Sequence, residues 1–513
     1  MRADSLSGRV VATLSRRSPA FQPPARPDAA PAPSQTWAQA VQVRLDAAAR
    51  RSSRTAPLSK TGPVLPGLLL LLGIGAAGTT AVAVHLGSLT AGLGVPGQWI
   101  LPASALWLGL LVGMLLTPLI ASPRRLWQAG LVLGLAGSLG ALAVDGLWEL
   151  AACLLVLSVG EVCIGTGAYT AVFSSASRTE RGRLLDRIGL AMSAGAVLGP
   201  LTGALLVQHA PVPGLPGWRS VFLVMAAASA AGFLPAGHLP HEPQAARRED
   251  LRPYWRTAVL VLLLGAAATA AQYGSLTGVL GLLLCLGAAL LWAWMTARRA
   301  VREGRRDTGL LGRPVSARVL TAFGAAAVTG PAVVLCLVLV PFTLATTAHA
   351  SLLTVGLVLT PLPAGLLAGA RTAALLLTPR GKRVKAVVIA GLALTGVGAA
   401  TLASPWLTDS PAPLYAVPLS LVGLGAGAVG SNLGVLLHEV GLGSLGAAMA
   451  AVQQTRLVAS CAALATVAVT APATGLLLCG ILAGAGLLTT LFWRDGPETA
   501  EHEDLVPEPA PYV

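Results

Sequence analysis

Residues 189–207 read GLAMSAGAVLGPLTGALLV, from Gly189 to Val207. Gly195, Gly199 and Gly203 recur every fourth residue, so on a helix they form one bare ridge, and Pro200 removes a backbone donor in the middle of that helix. In a soluble helix this combination is costly. In a bilayer it is a packing device, because small residues let two helix backbones approach and neighbouring groups satisfy the carbonyl that proline frees. The ridge predicts a close helix crossing.

The surrounding chain has the composition such a helix needs. Over 513 residues it is 54% hydrophobic and 11% charged, far below the roughly 25% charge of a soluble domain. The expectation is a polytopic membrane protein. The net charge of +14 does not point to nucleic acid, because Lys and Arg fall in short clusters between apolar runs, where they act as topology signals. All six cysteines lie inside apolar runs with no CxxC and no metal-ligand spacing, so they read as small core residues. No metal, cofactor or nucleic-acid partner is expected.

From Val64 to Trp493 there are about fourteen apolar runs of spanning length, taking ~20 residues as the requirement. They cover 64–88, 98–121, 126–146, 150–175, 184–208, 219–238, 255–272, 275–297, 319–343, 352–378, 384–404, 413–437, 446–470 and 473–493. Every second loop is basic: Arg124 and Arg125; Arg178, Arg181, Arg183 and Arg187; Arg247, Arg248, Arg252 and Arg256; Arg298 to Arg318; Arg380, Lys382, Arg383 and Lys385. The loops between them carry almost no positive charge, Arg219 excepted. Positive loops stay cytoplasmic, so both termini are expected inside and the number of spans even.

An internal repeat accompanies this alternation. Gly109 to Gly113 reads GLLVG ahead of Pro123 and Arg124, and Gly365 to Gly369 reads GLLAG ahead of Pro379 and Arg380 at the same spacing. Two related six-helix bundles, 63–238 and 319–493, would then flank an extra pair of helices at 255–297, with cytoplasmic loops at 239–254 and 298–318 and a cytoplasmic tail at 494–513. Residues 1–62 are Pro, Ala, Ser and Arg rich and read as a disordered basic cytoplasmic tail, not a secretory signal. From Thr36, a plausible N-cap, Trp37, Val41, Leu45 and Ala48 share a helical face beside Arg44, Arg50, Arg51 and Arg54. That face suits an anionic lipid surface, and a solvated basic tail fits equally well.

With these residues in view, the chain resembles the fourteen-span drug:proton antiporter branch of the major facilitator superfamily. Gly195, Gly199, Pro200 and Gly203 are in register with that family's antiporter motif, with Ala204 where a second glycine is usual. Glu180 to Arg183 is similar to its loop before the fifth span. Trp218, Arg219 and Phe222 resemble its entry to the sixth, Thr79, Thr80, Val82 and Val84 its first-span pattern, and Gln98 and Trp99 the start of its second. In the thirteenth span Gln453, Thr455 and Arg456 lie along a stretch where the family commonly carries a polar, arginine-containing turn. The resemblance implies an all-α membrane fold and alternating-access export of a small amphipathic drug or metabolite. It implies protons as a second partner, and the expected setting is the plasma membrane, with the chain a monomer.

The chain departs from the family at four places. Gly78 stands where the first span commonly has an acid, Leu119 to Arg125 reads LIASPRR without the usual aspartate, and Leu377 to Lys385 also lacks an acid. Glu161 stands where the fourth span has an arginine. By helix rise, Glu161 is about eleven residues and ~16 Å into its span, near the bilayer midplane. A carboxylate there needs a proton, water or a cation partner. Arg456 across the cavity is one candidate partner, with Arg371 and His85 as others. The readings are a proton or cation site facing each side in turn, or a buried pair that fixes packing. His85, toward the outer end of its span, reads as an edge residue or a proton carrier. Gln453, Gln454 and Asn432 are candidate cavity residues, and Arg124, Arg125, Arg380, Lys382 and Arg383 would form the inner gate.

No phosphate loop, HExxH or GxSxG occurs, so the chain is not expected to be an enzyme. Aromatic residues are only 4%, which favours an aliphatic substrate pocket over an aromatic cage. Two other functions fit the same features: an uncoupled facilitator, and a transporter-like scaffold or sensor that acts through its basic tail.

Overall fold

The computed structural model describes residues 64–95, 98–117, 120, 122–175, 178–209, 212–236, 239, 317–346, 349–377, 384–408, 410–436 and 445–469, with single positions between 259 and 291 and between 476 and 486. All lie in one compact unit, Pro57–Val513. Among the described residues the secondary structure is helical, without strands. The first half holds α1 (Val64–Val84), α2 (Leu86–Gly92), α3 (Ile100–Leu116), α4 (Pro123–Ala143), α5 (Leu147–Ser175), α6 (Arg178–His209), α7 (Gly217–Ala231) and α8 (Phe233–Ala236). The second holds α9 (Ala317–Thr346), α10 (Leu352–Leu359), α11 (Pro361–Leu377), α12 (Val384–Leu402), α13 (Pro405–Thr408), α14 (Ala416–Leu436) and α15 (Leu445–Val469).

Among the described residues nine helical segments are long and apolar enough to span a bilayer, and Ile100–Met114 is a shorter apolar helix. Helix occupies eleven of the fourteen expected spans; 255–272, 275–297 and 473–493 lie largely outside the described residues, although every described position in them is helical. The tail at 1–62, the loops at 239–254 and 298–318, the tail at 494–513, and Arg380, Lys382 and Arg383 also lie outside the described residues, apart from Leu239 and the first two residues of α9.

Two expected spans are broken by local chemistry. The tenth divides at Thr360, because Pro361 has no N–H to offer the Leu357 carbonyl, and the Gly356 carbonyl before it accepts both the Thr360 N–H at 3.2 Å and the Thr360 hydroxyl at 2.9 Å. The first divides at His85, and α2 continues to Gly92, where a Cβ would run into the Trp218 indole of α7. The helix starts follow from the residues available: Ser122 precedes Pro123 at the first turn of α4, and the Ser351 hydroxyl accepts the Thr354 N–H at 3.2 Å to cap α10.

The packing is repeated. In the first half α4 and α3 both lie on α5, and α1 lies on α6; in the second, α12 and α11 both lie on α14, and α9 lies on α15. The paired GLLVG and GLLAG stretches occupy equivalent crossings: Gly109 and Gly113 of α3 face α5, and Gly365 and Gly369 of α11 face α14. Between the halves, α6 meets α10 and α11, α3 meets α15, and α1 meets α9.

The apolar cores are distributed unequally along the bundle. At the end away from the basic loops one core runs through both halves, from Val84, Leu89, Trp99 and Phe222 to Leu339, Val355 and Leu464. At the basic-loop end each half has its own core: Leu68, Trp127, Val172 and Leu184 in the first, Phe323, Val388, Leu433 and Val452 in the second. The halves are joined at the far end and separately packed at the basic end.

Candidate functional site

The glycine ridge packs inside the first half, on α1. A Cβ on Gly195 would meet the Gly73 backbone, and one on Gly199 the Ala77 carbonyl and the Thr80 hydroxyl. One on Gly203 would stand 2.7 Å from the Ala81 methyl and 2.9 Å from His85 Cδ2. The four-residue step of α6 thus meets the same step of α1, and the two backbones touch along three turns.

Pro200 turns a different face. Its carbonyl oxygen accepts from His85 Nε2 at 3.3 Å, so the ring carries its hydrogen on that nitrogen. The same carbonyl lies 2.6 Å from the position a Cβ would take on Gly356 of α10, so only glycine fits where the halves meet. His85 is accordingly buried, at 1% exposure, and not an edge residue. The sequence placed it near a span's end; its ring lies against Pro200 and Gly203 of α6.

Glu161, on α5, points into the first half. Thr79 Oγ1 of α1 is hydrogen-bonded to its Oε2, and its Oε1 is buried with no partner among the described residues. A void of about 40 Å³ lies beside it, lined by Gly75, Leu131, Gly134, Met225 and Ser229 among others. Where an acid was looked for on the first span, at Gly78, the Met225 side chain fills the space, 2.6 Å from the position of a Cβ. The carboxylate arrives one residue further on, at Thr79, from another helix.

The expected partners of Glu161 stand elsewhere. Arg456, half-buried on α15, packs its stem on Gly330 of α9, and among the described residues no ion pair joins it to Glu161. Arg371 is exposed on α11. Gln454 and Asn432 are buried and Gln453 half-buried; Asn432 Nδ2 donates to the Ala428 carbonyl at 2.7 Å and its Oδ1 has no partner among the described residues. At the basic end Arg124 is half-buried and Arg125 exposed.

Among the described residues Arg219 forms an ion pair with Asp145, 3.2 Å away. Arg219 Nη2 also donates to the Val144 carbonyl at 2.7 Å, and its guanidinium lies 5.0 Å over the Trp218 ring. It therefore ties the start of α7 to the end of α4. A second cavity, about 470 Å³, opens beside the ridge between α1, α6 and α7. Its walls are aliphatic side chains and small residues, with the Thr202 hydroxyl turned back onto the Leu198 and Gly199 carbonyls. Ile74 and Met225 line both cavities. No group of three metal-ligating side chains occurs among the described residues.

Sequence reading had found Glu161 but not Thr79 or Ser229. The Thr79–Thr80 pair was visible, but nothing in a linear pattern says which hydroxyl faces α5.

The sequence profile of the Major Facilitator Superfamily matches residues 67–464. No curated protein matches the sequence significantly. Among solved structures, the chain is similar to the POT family transporter PepTSo at 11% identity, with 85% of this chain and 98% of that one covered and a TM-score of 0.61. A peptide transporter POT in complex with sulfate matches at 14% identity over 86% and 96% of the two chains, with a TM-score of 0.62. A D-xylose-proton symporter matches at 15% identity over 84% and 97%, with a TM-score of 0.57. At such identities the likeness is one of fold.

Proposed function

The chain belongs to the Major Facilitator Superfamily, and on that premise we propose that it exports a small amphipathic molecule by alternating access, with Glu161 as its proton-coupling group. It is a multi-pass membrane transporter and not an enzyme. The basic-loop end is taken as cytoplasmic, which puts both termini inside and fits fourteen spans in the plasma membrane. The observation that carries the reading is the uneven core. Two halves that share one core at the outer end and keep separate cores at the inner end form an outward-closed state, and rocking about the midplane exchanges the two.

An amphipathic cargo is supported by the aliphatic groove of about 470 Å³ beside the ridge, which falls in the size range of small-molecule sites. Proton coupling is supported by a carboxyl group at mid-span whose partner is a hydroxyl and not a cation. The chain resembles the drug:proton antiporter branch in its ridge and differs from it in where the acid sits.

The test is proton movement in liposomes holding the purified protein, with amphipathic compounds added and wild type compared with Glu161→Gln. Compound-driven proton flux that disappears in the variant supports coupled antiport. Compound movement without proton flux, equal in both proteins, overturns the role of Glu161 and leaves a facilitator. No movement across a broad panel overturns transport and favours a scaffold, whose function would then depend on residues 1–62.

A further inference from the structure

We propose that Glu161 and Thr79 form a self-contained proton site inside the first half, in which the Thr79 hydroxyl reports whether the proton is bound. The proposal rests on Glu161 as the coupling group and says what its site consists of and where the ligand sits.

The argument is one of donors and acceptors. Thr79 Oγ1 lies 3.1 Å from the Gly75 carbonyl of its own helix and also meets Glu161 Oε2. The hydroxyl has a single hydrogen. If Glu161 is ionised it can only accept, so Thr79 must give its hydrogen to the carboxylate and abandon Gly75. If Glu161 carries a proton on Oε2, that proton is donated to Thr79 Oγ1, and Thr79 donates onward to Gly75. Only the protonated arrangement gives each of the two contacts a hydrogen of its own.

Oε1, the remaining oxygen, is buried with no partner among the described residues, and Glu161 lines the void of about 40 Å³ together with Ser229. Among the described residues, the helices packed around the void present no second titratable group to it, and no cation. α1 offers Leu71, Ile74, Gly75 and Thr79; α4 offers Leu131 and Gly134; α7 offers Met225, Ala228 and Ser229. His85 has its Nε2 on Pro200, and Arg456 packs on α9. With no cation at the site, neutralisation falls to the proton.

Two consequences follow. Release of the proton swings the Thr79 hydrogen from Gly75 to Glu161, so occupancy is read on α1, the helix that carries the glycine crossing. Glu161 also lies outside the lining of the groove, which shares only Ile74 and Met225 with the void. Cargo and proton therefore need not compete for one carboxylate.

The test is infrared difference spectroscopy on the full-length protein in lipid, driven by a pH change in H₂O and in D₂O. The expected result is a carboxylic C=O band from a buried, exchangeable acid, lost in Glu161→Gln. Thr79→Val should displace both the band and its pH midpoint, Thr79→Ser should restore them, and Ser229→Ala should move the band without abolishing it. Absence of any such band over the pH range in which the protein stays folded overturns the proposal. So does a midpoint that Thr79→Val leaves unchanged, or a band bleached at fixed pH by sodium or potassium, which would make the ligand a metal cation. Should Glu161→Gln fail to fold, the Thr79 pair alone decides the assignment. The spectra need no transport: a band that behaves as expected in a protein that moves nothing sinks export and leaves the proton site standing.

Discussion

The ridge on α6 permits a sharp comparison, because its glycines differ in what surrounds them. Gly189 and Gly195 lie on the same helix. An alanine Cβ at Gly189 meets nothing within 4 Å, whereas at Gly195 it falls on the Gly73 carbonyl and 2.9 Å from its Cα. Alanine in place of glycine within a helix is worth about 1 kcal/mol at either position. At Gly195 this gain is opposed by overpacking, which lies in the range of about 1–3 kcal/mol and toward its top, because the obstructing atoms are backbone and cannot rotate away. Gly189→Ala should therefore stabilise by about 1 kcal/mol and Gly195→Ala destabilise by about 2 kcal/mol. For units of 150–250 residues, 1 kcal/mol shifts the midpoint by about 2–4 °C, so the two variants should melt roughly 6–12 °C apart. The assay is thermal unfolding of the purified full-length proteins in one detergent. Coinciding curves would refute the reasoning, since they would mean that α1 and α6 do not touch at Gly73.

Two further outcomes are expected. Gly356→Leu places a side chain on the Pro200 carbonyl, so spin labels at the exposed Val212 and Trp406 should show a longer or broader distance distribution than in the otherwise wild-type chain by pulsed electron resonance. Arg219→Ala should cost about 2 kcal/mol in thermal unfolding, because it removes a charge-assisted bond to the Val144 carbonyl, while Asp145→Asn should cost under about 1 kcal/mol, because that carboxylate is 92% exposed.

What the sequence could and could not tell about these sites follows from the kind of information each needed. Hydropathy and the alternation of basic loops give the depth and direction of each helix, so the mid-span position of Glu161 and the close crossing at Gly195, Gly199 and Gly203 were both legible. Rotation was not. Successive residues on a helix are about 100° apart, so an error of one residue turns a side chain from the cleft between the halves into the interior of one of them. That is the difference between the Arg456 partner expected for Glu161 and the Thr79 partner it has. His85 shows a second limit. Its distance from the span's start suggested an edge, but burial depends on whether the chain leaves the bundle next, and α2 instead runs on to Gly92 and lodges against Trp218. The Gly356 contact shows a third, because nothing local in LLTVGLVL says that a proline carbonyl from the other half will lie against its glycine.

These contacts divide the work of α6 between two faces. Its glycine face meets α1 along three turns of backbone, with no space to slide, so α1 and α6 move as one body. Its other face, Pro200 and Ala204, touches the second half at Gly356 through small groups that can part without leaving a large hole. Opening the far end would uncover core residues of both halves, among them Leu89, Leu339 and Val355, at about 25 cal/mol for each Å² of apolar surface exposed. Alternating access requires the two states to lie within a few kcal/mol, so closure at the basic end must bury a comparable area. The basic loops carry Arg124 and Arg125 in one half and Arg380, Lys382 and Arg383 in the other, with no acid in either loop. Like charges brought within a Debye length of about 8 Å oppose that closure. On the proposed cycle, the missing loop acids bias the protein toward the state seen here, and bound cargo or the proposed Glu161 proton supplies the difference.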